Sequence, residues 1–323
     1  MVKSTLSLPV QNLIKLIFDI KMLKEIMKNY ELDSKNKKLF DKKLNKYRGH
    51  KQFYAFHYKH RSSLHLTNEE IFNVMYEMIQ ELFDSSTDKC NFVHRMYSQT
   101  ENLLDICYNK LHSAIEAISV NTDIFKIIIS YIKNSHSRFH DHYTIKVNNI
   151  FSVQKQDDDN KHLKNYDNKI LLWYGTEVHN IAAILSKGWN NSGSNGRSSD
   201  LDNGIKFTNI VSKAANNCGT YGKNKNGILL LCEVALGNVM ECHQTDNDNR
   251  KLIVGKNSIL RRGFLSPDNN IVEKIDRDVK VPCGPLVENF NRTDLRHDEF
   301  FVYNFDRIKI RYIVTVKFEY CTR

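Results

Sequence analysis

The sequence predicts an α+β protein, in which an all-α bundle over residues 1–135 is followed by a mixed, mainly antiparallel two-sheet domain over residues 136–323. Apolar residues recur at helical spacing up to about residue 133. From about residue 143 the chain changes to short β-rich runs separated by Gly, Asn and Asp. The 323 residues are also enough for two domains of ordinary size.

The N-terminal part carries four helical patterns. The first follows Pro9, a residue favoured in a first helical turn, and its apolar residues are Val10, Leu13, Ile14 and Ile17. A second begins at Thr67, where TNEE fits a capping box. Two further patterns cover 100–118 and 122–133. We therefore expect a helical bundle over about residues 5–133.

The C-terminal part reads as short strands arranged around a cleft. The runs are YTIKVNNIFSV, KILLWYG, GILLLCEVAL, EFFVYNF and IKIRYIVTVKF. Helical stretches at 178–187 and 210–217 interrupt them, and the acidic, Asn-rich segment 156–168 is predicted to be an exposed loop. Two antiparallel sheets are the expected outcome.

The net charge of +10 is concentrated in one segment. Residues 34–61 hold ten Lys and Arg against the single acid Asp41, with six aromatic residues between them. Three interpretations stay open: a solvated basic loop or helix face, a site for nucleic acid or another polyanion, and a nuclear import signal.

Several classes of protein are disfavoured by the sequence. No apolar run reaches the length of a membrane span, and the N-terminus lacks a signal-peptide pattern. Seven cysteines without a C-x-x-C indicate reduced thiols in a cytosolic or nuclear compartment, so we expect an intracellular protein with no membrane partner. Of these two compartments we expect the nucleus rather than the cytoplasm. Cys90 with His94, and the trio His136, His140 and His142, are incomplete zinc patterns, so no metal is expected. The Gly-rich segment 193–204 matches no phosphate-binding motif and reads as a loop.

The order of motifs after residue 170 resembles the catalytic domain of the poly(ADP-ribose) polymerase family. These motifs are LLWYGTEVHNIAAILSKG, GIKFTNIVSKAANNC, GILLLCEVALGNV, SPDNN, VPCG and TDLRHDEFFVYNF. The N-terminal segments LPVQNLIKLIFDIKMLKEIMKNYELD and ENLLDI resemble the helical regulatory domain of the DNA-dependent members. Residues 34–61 have no counterpart and look like an insertion.

The resemblance implies NAD+-dependent transfer of ADP-ribose to protein acceptors, the protein itself among them. The family's three signature positions fall on Tyr174, Lys206 and Glu299. In the family the first is a histidine that anchors the adenine-side ribose of NAD+, and the second is a tyrosine that stacks on nicotinamide. The third is the catalytic glutamate, so two of the three signature residues differ here.

The remaining cofactor-binding positions are partly retained. Ala214 stands where the family has a serine that hydrogen-bonds the carboxamide, and Asn217 where it has a second stacking tyrosine. Gly175 is kept, and Thr176 follows it in the expected NAD+ site. Phe207, Ser212 and Lys213 are also kept.

These changes predict weak or altered ADP-ribose transfer, with a catalytically silent binding module as the alternative. Glycosyl transfer needs a carboxylate near the ribose and a held leaving group. Glu299 would supply the carboxylate, but an ion pair with Lys206 would occupy it. The positive charge of Lys206 would also oppose the cationic nicotinamide unless water or an anion intervenes. The alternative module would bind protein, nucleic acid or ADP-ribose polymer.

Overall fold

The computed structural model describes residues 2–18, 102–155, 163, 165–189, 204–220, 225–242, 254–276, 278–290 and 293–321. The helix expected after Thr67, the basic segment 34–61, most of the loop 156–168 and all of 193–204 except Gly204 lie outside these residues. The described residues divide into two units, Met1–Leu111 and His112–Arg323. In the described part of the chain, no helix combines the length and the apolar character needed to cross a membrane.

Within residues 2–18 and 102–111, the described part of the first unit, there are two helices. Helix α1 (Leu8–Phe18) buries Val10, Leu13, Ile14, Ile17 and Phe18, as the spacing after Pro9 predicts. Helix α2 (Leu103–Asn109) is capped by the side chain of Asn102, which accepts from the N–H of Leu104 at 2.9 Å. Asp105 of α2 accepts hydrogen bonds from Thr5 N at 2.9 Å and Thr5 Oγ1 at 3.1 Å, so the segment before α1 is fixed to α2.

The second unit begins with a strand where the sequence predicts a helix. The helical pattern expected over 100–118 is wrong in its second half, because strand β1 (Ser113–Ala117) pairs antiparallel with β2 (Tyr143–Lys155). Helix α3 (Asp123–Asn134) matches the expected helix over 122–133 and buries Ile128, Tyr131 and Ile132 in the core of this unit. The two units of the chain meet at Leu111/His112, and the domain boundary at 135/136 stays a prediction.

Eleven further strands and two short helices complete the described elements of the second unit. The strands are β3 (Lys169–Gly175), β4 (Ile205–Phe207), β5 (Asn226–Ala235), β6 (Val239–Cys242), β7 (Ser258–Arg261), β8 (Leu265–Pro267), β9 (Glu273–Ile275), β10 (Val279–Val281), β11 (Leu286–Glu288), β12 (Glu299–Val302) and β13 (Ile308–Tyr320). The helices are α4 (Val178–Lys187) and α5 (Val211–Ala215), and 3-10 turns cover Arg138–His140, Asn216–Cys218 and Phe305–Arg307.

Three sheets form, and most of their pairings are antiparallel. The largest has seven strands in the order β1-β2-β13-β5-β3-β10-β9, with β10 and β3 parallel. The second has the order β4-β12-β7-β6, with β6 and β7 parallel, and β11 pairs with β8. The expectation of a mixed, mainly antiparallel domain is confirmed, but the described residues form three sheets rather than the expected two.

The end of β3 connects the two larger sheets. Trp173 and Thr208 exchange backbone hydrogen bonds of 2.8 and 3.1 Å, which join β3 to the residue after β4. The Trp173 side chain is fully buried, and its ring lies 5.1 Å from that of Tyr131 on α3. This junction brings the ends of β3, β4 and α5 into one region.

Candidate functional site

The predicted site residues lie on four elements that meet at this junction. Tyr174 and Gly175 end β3, Lys206 and Phe207 belong to β4, and Ala214 belongs to α5. Glu299 is the first residue of β12, the strand that pairs with β4. Thr176 directly follows β3, and Asn217 is exposed on the 3-10 turn after α5. Chain topology thus gathers residues that are up to 125 positions apart in sequence, from Tyr174 to Glu299 (299 − 174).

Gly175 marks a close backbone contact between β3 and α5. A Cβ atom at this position would lie 1.7 Å from the carbonyl oxygen of Ala214. No side chain fits such a gap without a backbone shift. Glycine is therefore required here by packing.

Three aromatic rings form one wall of the site. The Tyr174 ring lies 4.7 Å from Trp189 and 5.8 Å from Phe207, and Trp189 lies 5.7 Å from Phe207. Burial raises the pKa of Tyr174, and a hydrogen bond with the Thr176 side chain partly opposes that shift. The hydroxyl is therefore a neutral group at pH 7. Thr176 Oγ1 accepts from Asn180 Nδ2 at 2.9 Å, which fixes the threonine.

Three cationic side chains surround the carboxylate of Glu299, and we call Lys206, Lys213 and Arg261 the cation triad. Lys213 Nζ lies 2.8 Å from Glu299 Oε1, and Arg261 Nη1 lies 3.4 Å from Oε2. Lys206 Nζ is 3.8 Å from Oε1. The ion pair expected between Lys206 and Glu299 is therefore the longest of three contacts, and Lys213 is the main partner.

The β-sheet register explains this convergence. Arg261 of β7 is directly opposite Glu299, and Lys206 of β4 is opposite Phe301, two residues further along β12. Residues opposite each other and residues two apart share one face of a sheet. Lys213 reaches the same carboxylate from α5 and also donates to the carbonyl oxygen of His297 at 3.4 Å.

The cation triad keeps Glu299 ionised. Burial alone would raise the pKa of Glu299, but Lys213, Lys206 and Arg261 outweigh burial and hold the pKa below its ordinary value. For Lys213 burial is the largest influence and lowers its pKa, while Glu299 opposes that shift. At neutral pH Glu299 is an anion in contact with the three cations of the triad. These contacts make it a weak base and a good electrostatic partner.

The residue before Glu299 anchors the start of β12. Asp298 is fully buried and accepts hydrogen bonds from Gly263 N at 2.8 Å and Asn209 Nδ2 at 3.1 Å. Its carbonyl oxygen accepts from Thr208 Oγ1 at 3.0 Å. Burial raises the pKa of Asp298, and the Gly263 N–H is the largest influence against that shift. Asp298 therefore positions Glu299 rather than facing the site.

Ser212 and two histidines connect α5 with the segment before β2. Ser212 Oγ accepts from Ser137 N at 2.9 Å and contacts His140 Nδ1 at 2.9 Å. His297 Nε2 lies 2.6 Å from Ser137 Oγ, and its ring is 5.1 Å from that of His140. Ser212, which the resemblance leaves without a stated role, holds α5 in place.

Sequence reasoning missed Arg261, Trp189 and the closeness of Lys213 to Glu299. Lys213 carried a signal, because it is retained within SKAANNC. Arg261 carried no such signal, because it is 38 residues from Glu299 in sequence and reaches it only through strand pairing. In the described part of the chain, no group of three His, Cys, Asp or Glu residues is placed to hold a metal.

A cavity of about 550 Å³ lies elsewhere, on the seven-stranded sheet. Its lining includes Lys169, Glu233, Asp278 and Arg311, and none of the predicted site residues. Arg311 pairs with Glu233 at 2.6 Å and Lys169 with Asp278 at 2.7 Å, so these charges are already matched. The chemistry expected from the sequence therefore does not belong to this cavity.

Comparison with known proteins agrees with the resemblance. Residues 122–318, more than half of the chain, match the model of the poly(ADP-ribose) polymerase catalytic domain. Poly [ADP-ribose] polymerase 1 of Gallus gallus is 29% identical over 99% of this chain and 35% of its own length. Poly [ADP-ribose] polymerase of Sarcophaga peregrina is 30% identical over 99% of this chain and 35% of its own length.

A plant relative matches a shorter part of the chain. Poly [ADP-ribose] polymerase 2 of Zea mays is 33% identical over 67% of this chain and 34% of its own length. The chain thus spans about a third of the length of the curated relatives it matches. Because residues 122–318 match the model of the catalytic domain, the chain belongs to the poly(ADP-ribose) polymerase family.

Proposed function

We propose that this chain transfers ADP-ribose from NAD+ to protein acceptors, itself included, with weak or altered activity. The observation that carries the proposal is the ionised Glu299, which contacts Lys206 of β4 and Lys213 of α5 near the junction with β3. A carboxylate next to a held glycosyl donor is what glycosyl transfer requires. NAD+ would supply the ADP-ribosyl group and the nicotinamide leaving group.

The residues around Glu299 support a partial fit to NAD+. The Gly175 N–H and C=O would hold the carboxamide, and the ring of Tyr174 or Trp189 would offer apolar contact. Ala214 is buried against Gly175 and has no hydroxyl for the carboxamide. Each lost stacking or hydrogen-bonding contact is worth about 0.5–1.5 kcal/mol, so NAD+ binding would be weakened rather than abolished.

The second candidate function is a catalytically silent module that binds protein, nucleic acid or ADP-ribose polymer. The specific observation in its favour is that both oxygens of Glu299 already have cationic partners, at 2.8 and 3.4 Å. The basic segment 34–61 would then be the surface for polyanions.

Incubation with labelled NAD+ separates the two candidates. We expect label on the purified protein, and we expect Glu299→Gln to reduce labelling by about 100-fold or more, as for loss of a catalytic group. Glu241→Gln is the matched control, because Glu241 lies in the same sheet and is paired with Arg262 at 2.9 Å. It should label like wild type. Wild-type labelling no higher than that of Glu299→Gln would refute transfer and favour the silent module.

A further inference from the structure

The cation triad carries more charge than its carboxylate can balance. Lys206, Lys213 and Arg261 contribute three positive charges and Glu299 contributes one negative charge, so these four described side chains sum to +2. Two other arginines of the unit are matched more fully. Arg262 contacts the carboxylates of Glu241 and Asp298, and Arg311 contacts two acids in the same way.

Lys206 has the longest contact with Glu299 of the three cations in the triad. At 3.8 Å from Oε1 it is beyond hydrogen-bond distance, whereas Lys213 is at 2.8 Å. Its side chain is 50% exposed, against 21% for Lys213 and 18% for Arg261. The ammonium group has three donors, so most of its hydrogen-bonding capacity faces solvent.

Arg261 also retains donors. One nitrogen of its guanidinium group contacts Glu299 Oε2 at 3.4 Å, which is a long contact. A guanidinium group has five N–H donors in a planar fork that suits phosphate. Lys206 and Arg261 lie on strands that flank β12 on either side, so both reach the face that carries Glu299.

We propose that Lys206 and Arg261 form a phosphate-binding subsite beside Glu299, which holds a protein acceptor by a phosphorylated side chain. A phosphate monoester carries about −1.5 to −2 charges at pH 7 and three strong acceptor oxygens, which matches the excess of two positive charges. An acceptor carboxylate carries only one charge and would leave the cluster unbalanced. The acceptor role rests on the proposed function, whereas phosphate binding itself does not.

Phosphate at this subsite would also help NAD+ to bind. The nicotinamide of NAD+ is cationic, and Lys206 opposes it at short range. A bound dianion screens that repulsion without displacing Lys213 from Glu299. Phosphorylated acceptors would therefore be preferred over unphosphorylated ones.

The binding test uses the full chain, without NAD+, titrated with inorganic phosphate at constant ionic strength by calorimetry. We expect Lys206→Met and Arg261→Met each to weaken phosphate binding about three- to tenfold, as for loss of one charged contact. Glu299→Gln should tighten it by a similar factor because a negative charge is removed. Lys126→Met is the control, since Lys126 is 65% exposed and pairs with Asp123 at 3.3 Å on α3. It should bind like wild type.

The direction of the Glu299→Gln effect separates a binding site from misfolding. Damage to the fold would weaken phosphate binding in every site variant, whereas the proposed subsite predicts tighter binding in this one. Equal affinity in wild type, Lys206→Met and Arg261→Met would overturn the subsite, because phosphate would then bind elsewhere on this basic chain.

The acceptor role is tested with labelled NAD+ and one peptide in phosphoserine and serine forms. We expect the phosphorylated form to be labelled more by wild type, and the preference to disappear in Lys206→Met. Equal labelling of the two forms would overturn the acceptor role. Lys206-dependent binding of a 5′-phosphorylated oligonucleotide, but not of the phosphopeptide, would assign the subsite to nucleic acid instead. If phosphate binds as predicted but nothing is labelled, the proposed function fails and the subsite stands.

Discussion

Gly175 has a measurable role at the scale of a single residue. Gly175→Ala places a methyl group 1.7 Å from the Ala214 carbonyl oxygen, so the end of β3 or α5 must move. We expect the free energy of unfolding to fall by about 2–3 kcal/mol, and NAD+ binding to be lost with it. Urea denaturation measures the first effect and calorimetry the second.

Gly255→Ala is the control for this substitution. Gly255 has a φ of +84°, but a Cβ there would meet nothing within 4 Å. Gly255→Ala should lower the free energy of unfolding by about 1 kcal/mol, through backbone strain alone. If both variants lose the same stability, the close contact between β3 and α5 is not the reason for glycine at 175.

Because neutral His297 is buried, the folded protein should lose stability at acidic pH. Its pKa is lowered to about 3, chiefly by burial and also by His140, Lys213 and Arg296. The unfolded chain takes up this proton near pH 6.5, while the folded chain resists it until about pH 3. The contribution of neutral His297 is thus full above about pH 6.5 and is lost as pH falls.

Unfolding of wild type and His297→Gln at pH 7 and pH 4.5 measures this contribution. At pH 4.5 the wild type should have lost about 2 kcal/mol through His297 alone. The variant should show a shallower fall in stability between the two pH values. An identical fall in both proteins would show that His297 does not titrate as its burial implies.

At the scale of the element, α3 owes part of its stability to its N-cap residue, Thr122. The Thr122 hydroxyl accepts from Phe125 N at 3.3 Å and so satisfies a free N–H of the first turn. Thr122→Ala should lower the free energy of unfolding by about 1 kcal/mol, and Thr122→Ser should retain most of it. Thermal unfolding of the three proteins checks the order, and a serine variant as unstable as the alanine variant would contradict it.

Elements with a strong local signal could be predicted from the sequence, and those that depend on distant partners could not. Helix α3 was expected over 122–133 and is found at Asp123–Asn134, because its cap and its apolar spacing are both local. Strand β1 was read as helix, since its five residues become a strand only through pairing with β2, about 40 positions later.

The same limit applies to the site. Glu299 and Lys206 were identified by motif, while Arg261 joins them only through the register of β7 and β12.

At the scale of the whole molecule, the charge of +10 predicts salt-sensitive binding of polyanions. With ten Lys and Arg in residues 34–61, binding of DNA or ADP-ribose polymer should weaken by about 10³-fold or more between about 50 and 200 mM salt, provided that six or more of these cations contact phosphates. Fluorescence anisotropy of the full chain and of a variant lacking 34–61 tests this. Unchanged binding after the deletion would show that the segment is a solvated loop.

The central claim is that the residues at Tyr174 and Lys206, rather than the fold, limit transfer of ADP-ribose. Automodification with labelled NAD+ tests it most directly, in wild type, Tyr174→His, Lys206→Tyr, the double variant, and the double variant carrying Glu299→Gln. The double variant regains an anchor for the ribose and a stacking face, and it loses the cation 3.8 Å from Glu299, while Lys213 stays in place. We predict labelling at least about tenfold above wild type, since two regained contacts are worth about 1 kcal/mol each, with neither single variant sufficient and no labelling once Glu299 is replaced. Wild type as active as the double variant would contradict the account, and so would a silent double variant, which would place the defect at Ala214 and Asn217.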